Sequence, residues 1–398
     1  MIKATIDDVD VAGRRVLLRV DFNVPLRSGR VGDDRRIQEA LPTITALSER
    51  GARTAIVTHL GRPRGHVDRS LSVVPLADRL SELLGMEVPV AGDVVGESAQ
   101  ATVDALHDGG VAMLENVRFE AGEESNDPAL AGRLASFADV FVNDAFGTAH
   151  RAHASTEGIA HRLPAVAGYL MARELEVLGG VLESPRRPFV AVLGGAKIST
   201  KLGLLTSLLN RVDSIHMGGA MACTFFRAKG ARTGRSMVEE DMVDAARDVL
   251  QSAAASSCTL SLPVDVVVAA EVAEGAPTAV VAWDAIPDDR TVVDIGPDTV
   301  AAIAASFADA GTVVWNGPLG IYEIEAFAHG TRDVARALAK SAGFSIVGGG
   351  DLDAAVEDAG VSDNIDFIST GGGATLEFLE GRALPGVAAL SDREAVTS

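Results

Sequence analysis

Residues 189–201 read FVAVLGGAKISTK, and this segment indicates how the rest of the chain is organised. Its unbroken apolar run, residues 189–193, predicts a short strand that is buried on both faces. Gly194 and Gly195 then allow the backbone to turn sharply into a helix. The segment is therefore typical of a strand, a glycine turn and a helix start, where free backbone N–H groups attract phosphate.

Two lysines follow the glycine turn, and they are candidates for contacting that phosphate. Lys197 and Lys201 are four residues apart, so they are predicted to project from the same helical face. Only five lysines occur in the whole chain. The same spacing is equally typical of a solvated helix face, and it differs from that of a P-loop, which ends in Gly-Lys-Ser/Thr. The phosphate hypothesis therefore needs support from other segments.

The composition describes a globular α/β protein with more than one core. A chain of 398 residues exceeds what one hydrophobic core normally supports, so we expect two domains. Hydrophobic residues make up 47% of it, and no apolar run approaches the roughly 20 residues of a membrane span. The first residues, MIKATIDDVDVAGRR, lack a signal-peptide core. We therefore expect a cytoplasmic protein.

The net charge of -20 argues against nucleic acid or an anionic membrane surface as a partner, because both require a basic face. If the ligands are anionic, the positive groups must be gathered locally. The two cysteines, Cys223 and Cys258, lie among apolar or small residues. They predict buried thiols, and neither a disulfide framework nor a metal cluster.

In the first half of the chain, predicted strands alternate with predicted helices, which indicates a parallel sheet. The first strand lies in RVLLRVDFNVP, residues 15–25, and others are expected at 54–58, 88–91, 111–114 and 140–142. Asp21 and Asn23 follow the first strand, where they either shape the turn or reach a ligand at the carboxyl edge of the sheet.

Positively charged side chains follow most of these strands. They are His59, Arg62, Arg118, His150, Arg151 and His153, with Arg36 in the first turn of the helix after the first strand. In a parallel sheet the strand ends lie along one edge, so an acidic chain is predicted to collect its cations there for an anionic substrate. A metal bound by His150 and His153 is the alternative, but Arg151 between them disfavours a divalent ion.

The second half repeats this pattern after a long predicted helix, residues 165–183, and the proline-flanked segment SPRRP. Strands are expected near residues 189–193, 214–217, 264–269, 312–315, 344–347 and 367–369. Five strand ends carry glycines: 194–195, 218–219, 317 and 320, 348–350, and 371–373. They predict a surface that a polyphosphate and a ribose can approach closely. Asp351 is the expected Mg²⁺ ligand, with phosphate oxygens completing the shell.

Nine segments in one order together resemble the phosphoglycerate kinase family: RVDFNVP, the helix with Arg36, THLGRP, LENVRF, NDAFGTAHRAH, VLGGAKISTK, WNGPLGIYE, GGGD and STGGGATLEFLEG. The resemblance implies two Rossmann-like domains, each a mostly parallel sheet flanked by helices. It implies a domain for 3-phosphoglycerate at residues 1–168, a hinge helix at 169–184 and an Mg-nucleotide domain at 185–381. The tail, residues 382–398, is expected to pack on the first domain.

The resemblance also implies roles for individual residues. On the acid side these are Asp21, Asn23, Arg36, His59, Leu60, Gly61, Arg62, Arg118 and Arg151. On the nucleotide side they are Gly195, Lys197, Lys201, Gly218, Gly219, Val292, Asn316, Pro318, Glu323, Gly349, Gly350, Asp351 and Leu352. Arg36, Lys197, Lys201 and Gly372 are expected to act in catalysis, and Asp351 to bind the metal.

The implied reaction is reversible, Mg-dependent phosphoryl transfer between 1,3-bisphosphoglycerate with ADP and 3-phosphoglycerate with ATP. The acceptor is a carboxylate, which is already ionised at neutral pH, so no general base is needed. Direct in-line transfer would require both domains, with closure excluding water. The family resemblance also implies a monomer.

Several residues depart from the family pattern on the nucleotide side. Val292 and Val293 stand where Gly-Leu is usual, Leu352 replaces a Ser or Thr, Ala220 replaces a third glycine, and Glu325 stands where proline is common. We expect weaker ADP binding or a changed nucleotide preference.

Two other classes of protein are alternatives to a kinase. A nicotinamide-dependent dehydrogenase requires a G-x-G-x-x-G turn that the chain lacks, whereas a binding protein that has lost catalysis is separated by an assay for ATP-dependent acyl phosphate formation.

Overall fold

The computed structural model describes residues 2–397, and they divide into two compact units. The first unit contains the residues up to Glu176 together with those from Ala383 onward, and the second unit is Val177–Arg382. The strands, in chain order, are β1 Arg15–Arg19, β2 Leu26–Arg27, β3 Arg30–Val31, β4 Arg53–Val57, β5 Val111–Met113, β6 Val140–Asn143, β7 Ala165–Ala167, β8 Phe189–Leu193, β9 Ser214–Met217, β10 Thr259–Ser261, β11 Asp265–Ala269, β12 Thr278–Ala282, β13 Thr291–Ile295, β14 Thr312–Asn316, β15 Phe344–Gly348 and β16 Phe367–Ser369.

The helices cover the faces of the sheets. In chain order they are α1 Arg35–Glu49, α2 Val74–Leu84, α3 Glu97–Asp104, α4 Pro128–Ser136, α5 Tyr169–Glu183, α6 Leu202–Leu208, α7 Met221–Ala228, α8 Val243–Ala255, α9 Pro297–Ser306, α10 His329–Leu338, α11 Gly350–Asp358, α12 Gly373–Leu379, α13 Pro385–Ala388 and α14 Arg393–Thr397. The division between the units falls within α5. Among the described residues, no helix combines the length and the apolar character that a membrane span requires.

The first unit is built on a five-stranded sheet in the order β5-β4-β1-β6-β7, and every pairing in it is parallel. The central strand β1 is apolar and buried except at its first residue, and it brings the charged Arg19 into the interior. Side chains such as Leu18, Ile44 and Ile56 pack into a core between this sheet and its helices. The carboxyl ends of the parallel strands therefore lie along one edge.

The C-terminal residues lie against the first unit. The Ala4 N–H donates to the Ser391 carbonyl (2.9 Å), and the Lys3 ammonium donates to the Leu390 carbonyl (2.7 Å). At the other side of the same segment, the buried Asn143 amide donates to the Gly386 carbonyl (3.2 Å). One backbone and two side-chain donors of the first unit thus bind carbonyls of the C-terminal segment.

The second unit contains a six-stranded parallel sheet in the order β10-β9-β8-β14-β15-β16. The strand predicted at 189–193 is confirmed as β8, and all five of its residues are buried. A separate antiparallel sheet has the order β12-β11-β13. The five glycine-bearing strand ends follow β8, β9, β14, β15 and β16, so they all belong to the parallel sheet.

Two predictions of secondary structure were wrong in part, and one sheet was not predicted. Residues 88–91 form only an isolated bridge, Val90 to Met113, because Pro89 has no N–H for a ladder. Residues 165–167 form β7 rather than the start of a helix, since their short apolar run fits either pattern, and they pair with β6. The antiparallel sheet was not predicted, because exposed β12 has no buried face to mark it.

Candidate functional site

Asp21 and Arg36 meet at the carboxyl edge of the first sheet. Asp21 follows the end of β1, and Arg36 lies in the first turn of α1. The Arg36 guanidinium donates to Asp21 Oδ2 at 2.7 Å, and both side chains are partly accessible. A cation at a helix N-terminus opposes the helix dipole, and Asp21 offsets part of that cost. The arrangement holds a partly exposed positive charge at the edge where ligands of parallel sheets bind.

His59 follows β4 at the same edge and is buried. Arg19 Nη2 lies 3.2 Å from His59 Nδ1, and since arginine only donates, Nδ1 must accept and the proton must reside on Nε2. The 3.8 Å separation between His59 Nδ1 and Asp21 Oδ1 is too long for a hydrogen bond. Burial, and then the charges of Arg19 and neighbouring arginines, hold the pKa of His59 well below its usual range. His59 is therefore a neutral imidazole with an N–H to donate.

The arginine that contacts His59, Arg19, belongs to a network of buried side chains. Arg19 Nε donates to the Ser155 hydroxyl (2.9 Å), and that hydroxyl donates to Glu123 Oε1 (2.6 Å). The Ser155 N–H donates to Glu123 Oε2 (3.0 Å), and both Arg19 and Glu123 are 1% exposed. Burial lowers the pKa of Arg19 and raises that of Glu123, while each charge opposes the shift of the other. His153 is also buried here, and burial lowers its pKa to about 4.

The loop after β4 is held by side chains from two other strand ends. Asn23 Oδ1 accepts from the Gly61 N–H (2.9 Å), and Arg118 Nη1 donates to the Gly61 carbonyl (2.7 Å). The buried Asn116 amide bonds both the N–H and the carbonyl of Leu60 (3.2 and 2.8 Å). Asn23, Leu60, Gly61 and Arg118 thus form one connected group.

The remaining predicted cations differ in exposure. Arg62 is exposed, and Arg151 is partly buried and donates to His150 Nε2 (3.0 Å). In the part of the chain that the structure describes, no three His, Cys, Asp or Glu side chains are grouped as metal ligands.

In the second unit, the loops after β8, β9 and β14 pack backbone against backbone. A Cβ on Gly194 would overlap the Pro318 carbonyl, and one on Gly219, where φ is +70°, would overlap the backbone of Gly195. The Gly219 N–H also donates to the Leu319 carbonyl (2.9 Å). Both glycines are therefore required by the contact between loops, irrespective of any ligand.

These loops border a pocket of about 270 Å³. Six of the predicted nucleotide residues line it, namely Gly195, Gly219, Val292, Pro318, Glu323 and Asp351. Asp294 also lines it and accepts from the Gly330 N–H (2.6 Å), and burial raises its pKa to about 7. A carboxyl group that is largely protonated below neutral pH adds little negative charge beside a bound anion.

Lys197 and Lys201 do not share a helical face, so that prediction was wrong. A 3₁₀ turn, Ile198–Thr200, follows Lys197, and the α-helix begins only at Leu202. Lys197 is exposed, whereas Lys201 is 7% exposed and donates to Asn316 Oδ1. Burial lowers the pKa of Lys201 to about 8, against an opposing contribution from Asp351.

The other residues predicted for the nucleotide side lie near Lys201, in the neighbouring loops or in the core. Asn316 Nδ2 donates to the Gly348 carbonyl (2.6 Å), next to Gly349, where φ is +119°. Gly218 is buried below the pocket, and Gly350 begins α11. Leu352 is fully buried in the hydrophobic core, and its N–H donates to the Gly349 carbonyl (2.8 Å). Gly372 precedes α12 with a φ of +52°.

Three residues of the first unit were missed as parts of the site. The sequence does indicate that Arg19 is unusual, because it is a charged residue at the end of a strand whose preceding residues are apolar. Asn116 lies within the LENVRF motif, but the family resemblance implies no role for it. Glu123 has no local signal, since its partner Ser155 is 32 residues away in the chain.

Comparisons with known proteins agree on one family. The family model for phosphoglycerate kinase matches residues 6–382. The phosphoglycerate kinases of Moorella thermoacetica and Pelotomaculum thermopropionicum are each 54% identical over 393 residues, covering 99% of this chain and 100% of theirs. The structure of phosphoglycerate kinase from Coxiella burnetii matches with a TM-score of 0.87 and 44% identity, over 97% of this chain and 98% of that one. The structure of phosphoglycerate kinase from Pyrococcus horikoshii matches with a TM-score of 0.87 and 34% identity, over 100% of this chain and 99% of that one.

A cation-rich sheet edge, a glycine-lined pocket and these relatives define a phosphotransferase whose acceptor is a carboxyl group. Such enzymes need positive charge to bring two anions together, and no general base. The chain belongs to the phosphoglycerate kinase family. Its reaction is the phosphoryl transfer of glycolysis, with ATP and ADP as co-substrates.

Val292 provides a test of the nucleotide pocket. Its side chain lines the pocket, and the family resemblance implies glycine at this position, so Val292→Gly is expected to tighten ADP binding several-fold and to change the ratio of ADP to GDP affinity. Calorimetric titration of both nucleotides measures this. Val280→Gly, at an exposed position of the same antiparallel sheet, controls for the flexibility that glycine adds. Unchanged affinities in Val292→Gly would rule out the steric explanation.

Proposed function

We propose that 3-phosphoglycerate binds at the carboxyl edge of the first sheet. The observation that carries this proposal is the convergence of Asp21, Arg36, His59 and Gly61 there, supported from behind by Arg19. Asp21 and Asn23 contact the hydroxyl and carboxyl region, Leu60 and Gly61 present backbone, and His59, Arg62, Arg118 and Arg151 bind the phosphate. Arg36 faces the transferred group. A neutral His59 donates a hydrogen bond without adding charge.

The nucleotide is assigned to the pocket of the second unit. Gly195, Gly218, Gly219 and Lys197 border the phosphates, while Val292, Asn316, Pro318 and Glu323 surround the base and sugar. The turn at Gly349 and Gly350, which Leu352 anchors in the core, lies beside the phosphates. Lys201, held by Asn316, supplies a buried positive charge.

Asp351 is the proposed Mg²⁺ ligand. It is exposed in the first turn of α11 and lines the pocket, and its carboxylate makes no hydrogen bond within residues 2–397. One free carboxylate fits Mg²⁺, which takes one or two carboxylates together with substrate phosphates rather than a cage of protein ligands. When bound, the ion would neutralise charge on the phosphate oxygens.

The proposed chemistry is direct in-line transfer between the two ligands. Because the carboxylate is already ionised, the protein must orient it and neutralise the charge that spreads over the phosphoryl oxygens. Arg36 from the first unit, with Lys201 and the N–H groups at Gly372 from the second, supply this charge. Neither unit carries the complete set, so we propose that transfer requires closure about residues 169–184, which also excludes water. We further propose a monomeric cytoplasmic enzyme, as the family resemblance implies.

Crystals grown with 3-phosphoglycerate and ADP test these assignments. The acid is expected against Arg36 and His59 in the first unit, and the nucleotide against Val292 and Asp351 in the second. A structure with both ligands in the same unit, or away from these loops, would refute the proposal. In parallel, ATP consumption that depends on 3-phosphoglycerate separates an active kinase from a binding protein of the same fold.

Lys201 gives a pH-dependent prediction. Burial lowers the pKa of Lys201 to about 8, so part of the Lys201 side chains are neutral in the free enzyme at this pH, and nearby phosphates favour the charged form. ADP binding at pH 8 is therefore expected to be accompanied by net proton uptake, and the affinity should fall as the pH rises further. Calorimetry in buffers of different ionisation enthalpy measures the uptake. Lys201→Met should abolish it and Lys197→Met should retain it; equal uptake in wild type and Lys201→Met would contradict the assignment.

A further inference from the structure

The chain passes between the two units at two places. The first crossing lies within α5, between Glu176 and Val177, and the second lies between Arg382 and Ala383. These crossings are the covalent links between the units, so a change in the arrangement of the units must be accommodated there. How each link is attached to the first unit therefore bears on the reaction.

The first link, α5, begins without a capping side chain of its own. Gly168 precedes it, and the first N–H groups of a helix have no partner within the helix. Two buried side chains from distant parts of the first unit supply the acceptors. Thr43 Oγ1 accepts from the Tyr169 N–H (2.9 Å), and Asp144 Oδ1 accepts from the Met171 N–H (3.1 Å). A carboxylate at a helix N-terminus is also favoured by the helix dipole.

Gly168 is itself held tightly against the end of β6. Its N–H donates to the Asn143 carbonyl (3.0 Å), and a Cβ at this position would overlap Asp144 Oδ1. Backbone and side-chain contacts thus attach the start of α5 to the last residue of β6 and to the residue that follows it.

The second link is attached to the same strand end. The Asn143 amide donates to the Gly386 carbonyl (3.2 Å), four residues beyond Arg382. The Gly386 N–H donates to the Ala149 carbonyl (2.8 Å), and a Cβ on Gly386 would lie only 3.0 Å from Ala149 Cα. Two consecutive residues, Asn143 and Asp144, therefore hold both links between the units.

This strand end also belongs to the edge where the acid is proposed to bind. The Asp144 N–H donates to the Arg19 carbonyl (2.8 Å), and the Arg19 guanidinium contacts His59. Arg151 lies in the loop that follows β6. The attachment of the links and the acid site thus share one part of the first sheet.

We propose that Asn143 and Asp144 are positioning residues for phosphoryl transfer, which fix both links to the strand end that carries the acid site. This inference rests on the proposed closure of the units. Both side chains are 0% exposed, so they act through the links and not on a ligand. With both held, bending is confined to the chain beyond these contacts, and closure brings Arg36 and Lys201 to the phosphoryl group in one arrangement. Without them, fewer molecules occupy that arrangement.

Asp144→Ala tests the attachment of α5. It is expected to lower kcat about fivefold or more, the factor that corresponds to one buried N–H left without an acceptor. The affinities for 3-phosphoglycerate and for ADP, each titrated alone by calorimetry, should change little. In small-angle X-ray scattering with 3-phosphoglycerate and a non-transferable ATP analogue, the wild type should contract and Asp144→Ala should contract less. Asp144→Asn keeps an acceptor oxygen for the Met171 N–H and should recover most of the kcat.

Three further variants make the test specific. Asp139→Ala removes an exposed carboxylate just before β6, which pairs with Arg15 (2.8 Å), and it should behave as the wild type. Thr43→Val keeps the side-chain shape and removes only the acceptor for the Tyr169 N–H, so it decides the question if Asp144→Ala does not fold. Asn143→Ala releases the second link. Both Thr43→Val and Asn143→Ala should lower kcat and reduce the contraction.

The outcomes distinguish this inference from the proposed function. Wild-type kcat and contraction in Asp144→Ala and Thr43→Val, or a lost affinity for 3-phosphoglycerate with full contraction, would overturn the positioning role while closure itself stands. An unchanged kcat in Asn143→Ala would overturn the role of Asn143. If the wild type does not contract with both ligands bound, the proposed closure fails, and this inference fails with it.

Discussion

Arg36→Ala is expected to lower kcat by about a thousandfold or more, because arginines that stabilise phosphoryl transfer contribute about 10³–10⁵. Arg36 is held by Asp21 at the sheet edge with part of its guanidinium accessible, so it can meet the transferred group. The KM for ATP should change little, since the proposed nucleotide pocket lies in the other unit. A coupled assay of ATP consumption with 3-phosphoglycerate measures both constants.

Arg35→Ala is the matched control for this variant. Arg35 is the preceding residue of the same helix turn and pairs with Asp33 (2.7 Å), so its loss removes the same charge from the turn without removing the contact to Asp21. It should retain most of the activity. Arg36→Lys keeps the charge but loses the bidentate hydrogen-bonding geometry of a guanidinium. Its kcat should therefore lie between those of Arg36→Ala and Arg35→Ala. If Arg36→Ala retained more than a tenth of the wild-type kcat, a direct role for Arg36 would be refuted.

Glu123→Gln is expected to lower the free energy of unfolding by about 3 kcal/mol, because it removes the negative charge connected to the buried Arg19 through Ser155 and leaves the guanidinium uncompensated. Arg19 and Glu123 are both 1% exposed and joined by Ser155, so neither charge can be reached by water. Urea unfolding followed by circular dichroism at pH 7 measures the loss. The KM for 3-phosphoglycerate should also rise, because Arg19 orients His59.

Two further variants test whether the loss of stability in Glu123→Gln comes from the buried Arg19 and Glu123 or from the loss of any negative charge. Glu120→Gln removes an exposed partner of Arg133 at 3.3 Å and should cost less than about 1 kcal/mol. The double variant Arg19→Met with Glu123→Met removes both buried charges and should recover part of the stability that Glu123→Gln loses. An unfolding curve of Glu123→Gln that coincides with the wild type would show that the pair does not support the fold.

Much of the fold could be predicted because its signals are local. Apolar runs such as residues 189–193, followed by glycines, identify buried parallel strands and the edge where they end. The positions of the predicted strands also predicted that basic residues follow the strands of the first sheet. The strand predictions were wrong at residues 165–167, where three apolar residues fit strand and helix equally, and they missed β12, which is exposed.

What the sequence by itself determined is the alternation of strands and helices, the family, and the chemical types of residue at each strand end. Only the tertiary structure decided how these side chains are used: that His59 is neutral with its proton on Nε2, that Lys201 is buried on Asn316 while Lys197 is exposed, and that Arg19 is paired through Ser155 with Glu123. The physical reason is distance along the chain. Strand patterns arise from neighbouring residues, whereas protonation and pairing depend on burial and on partners that only packing brings together.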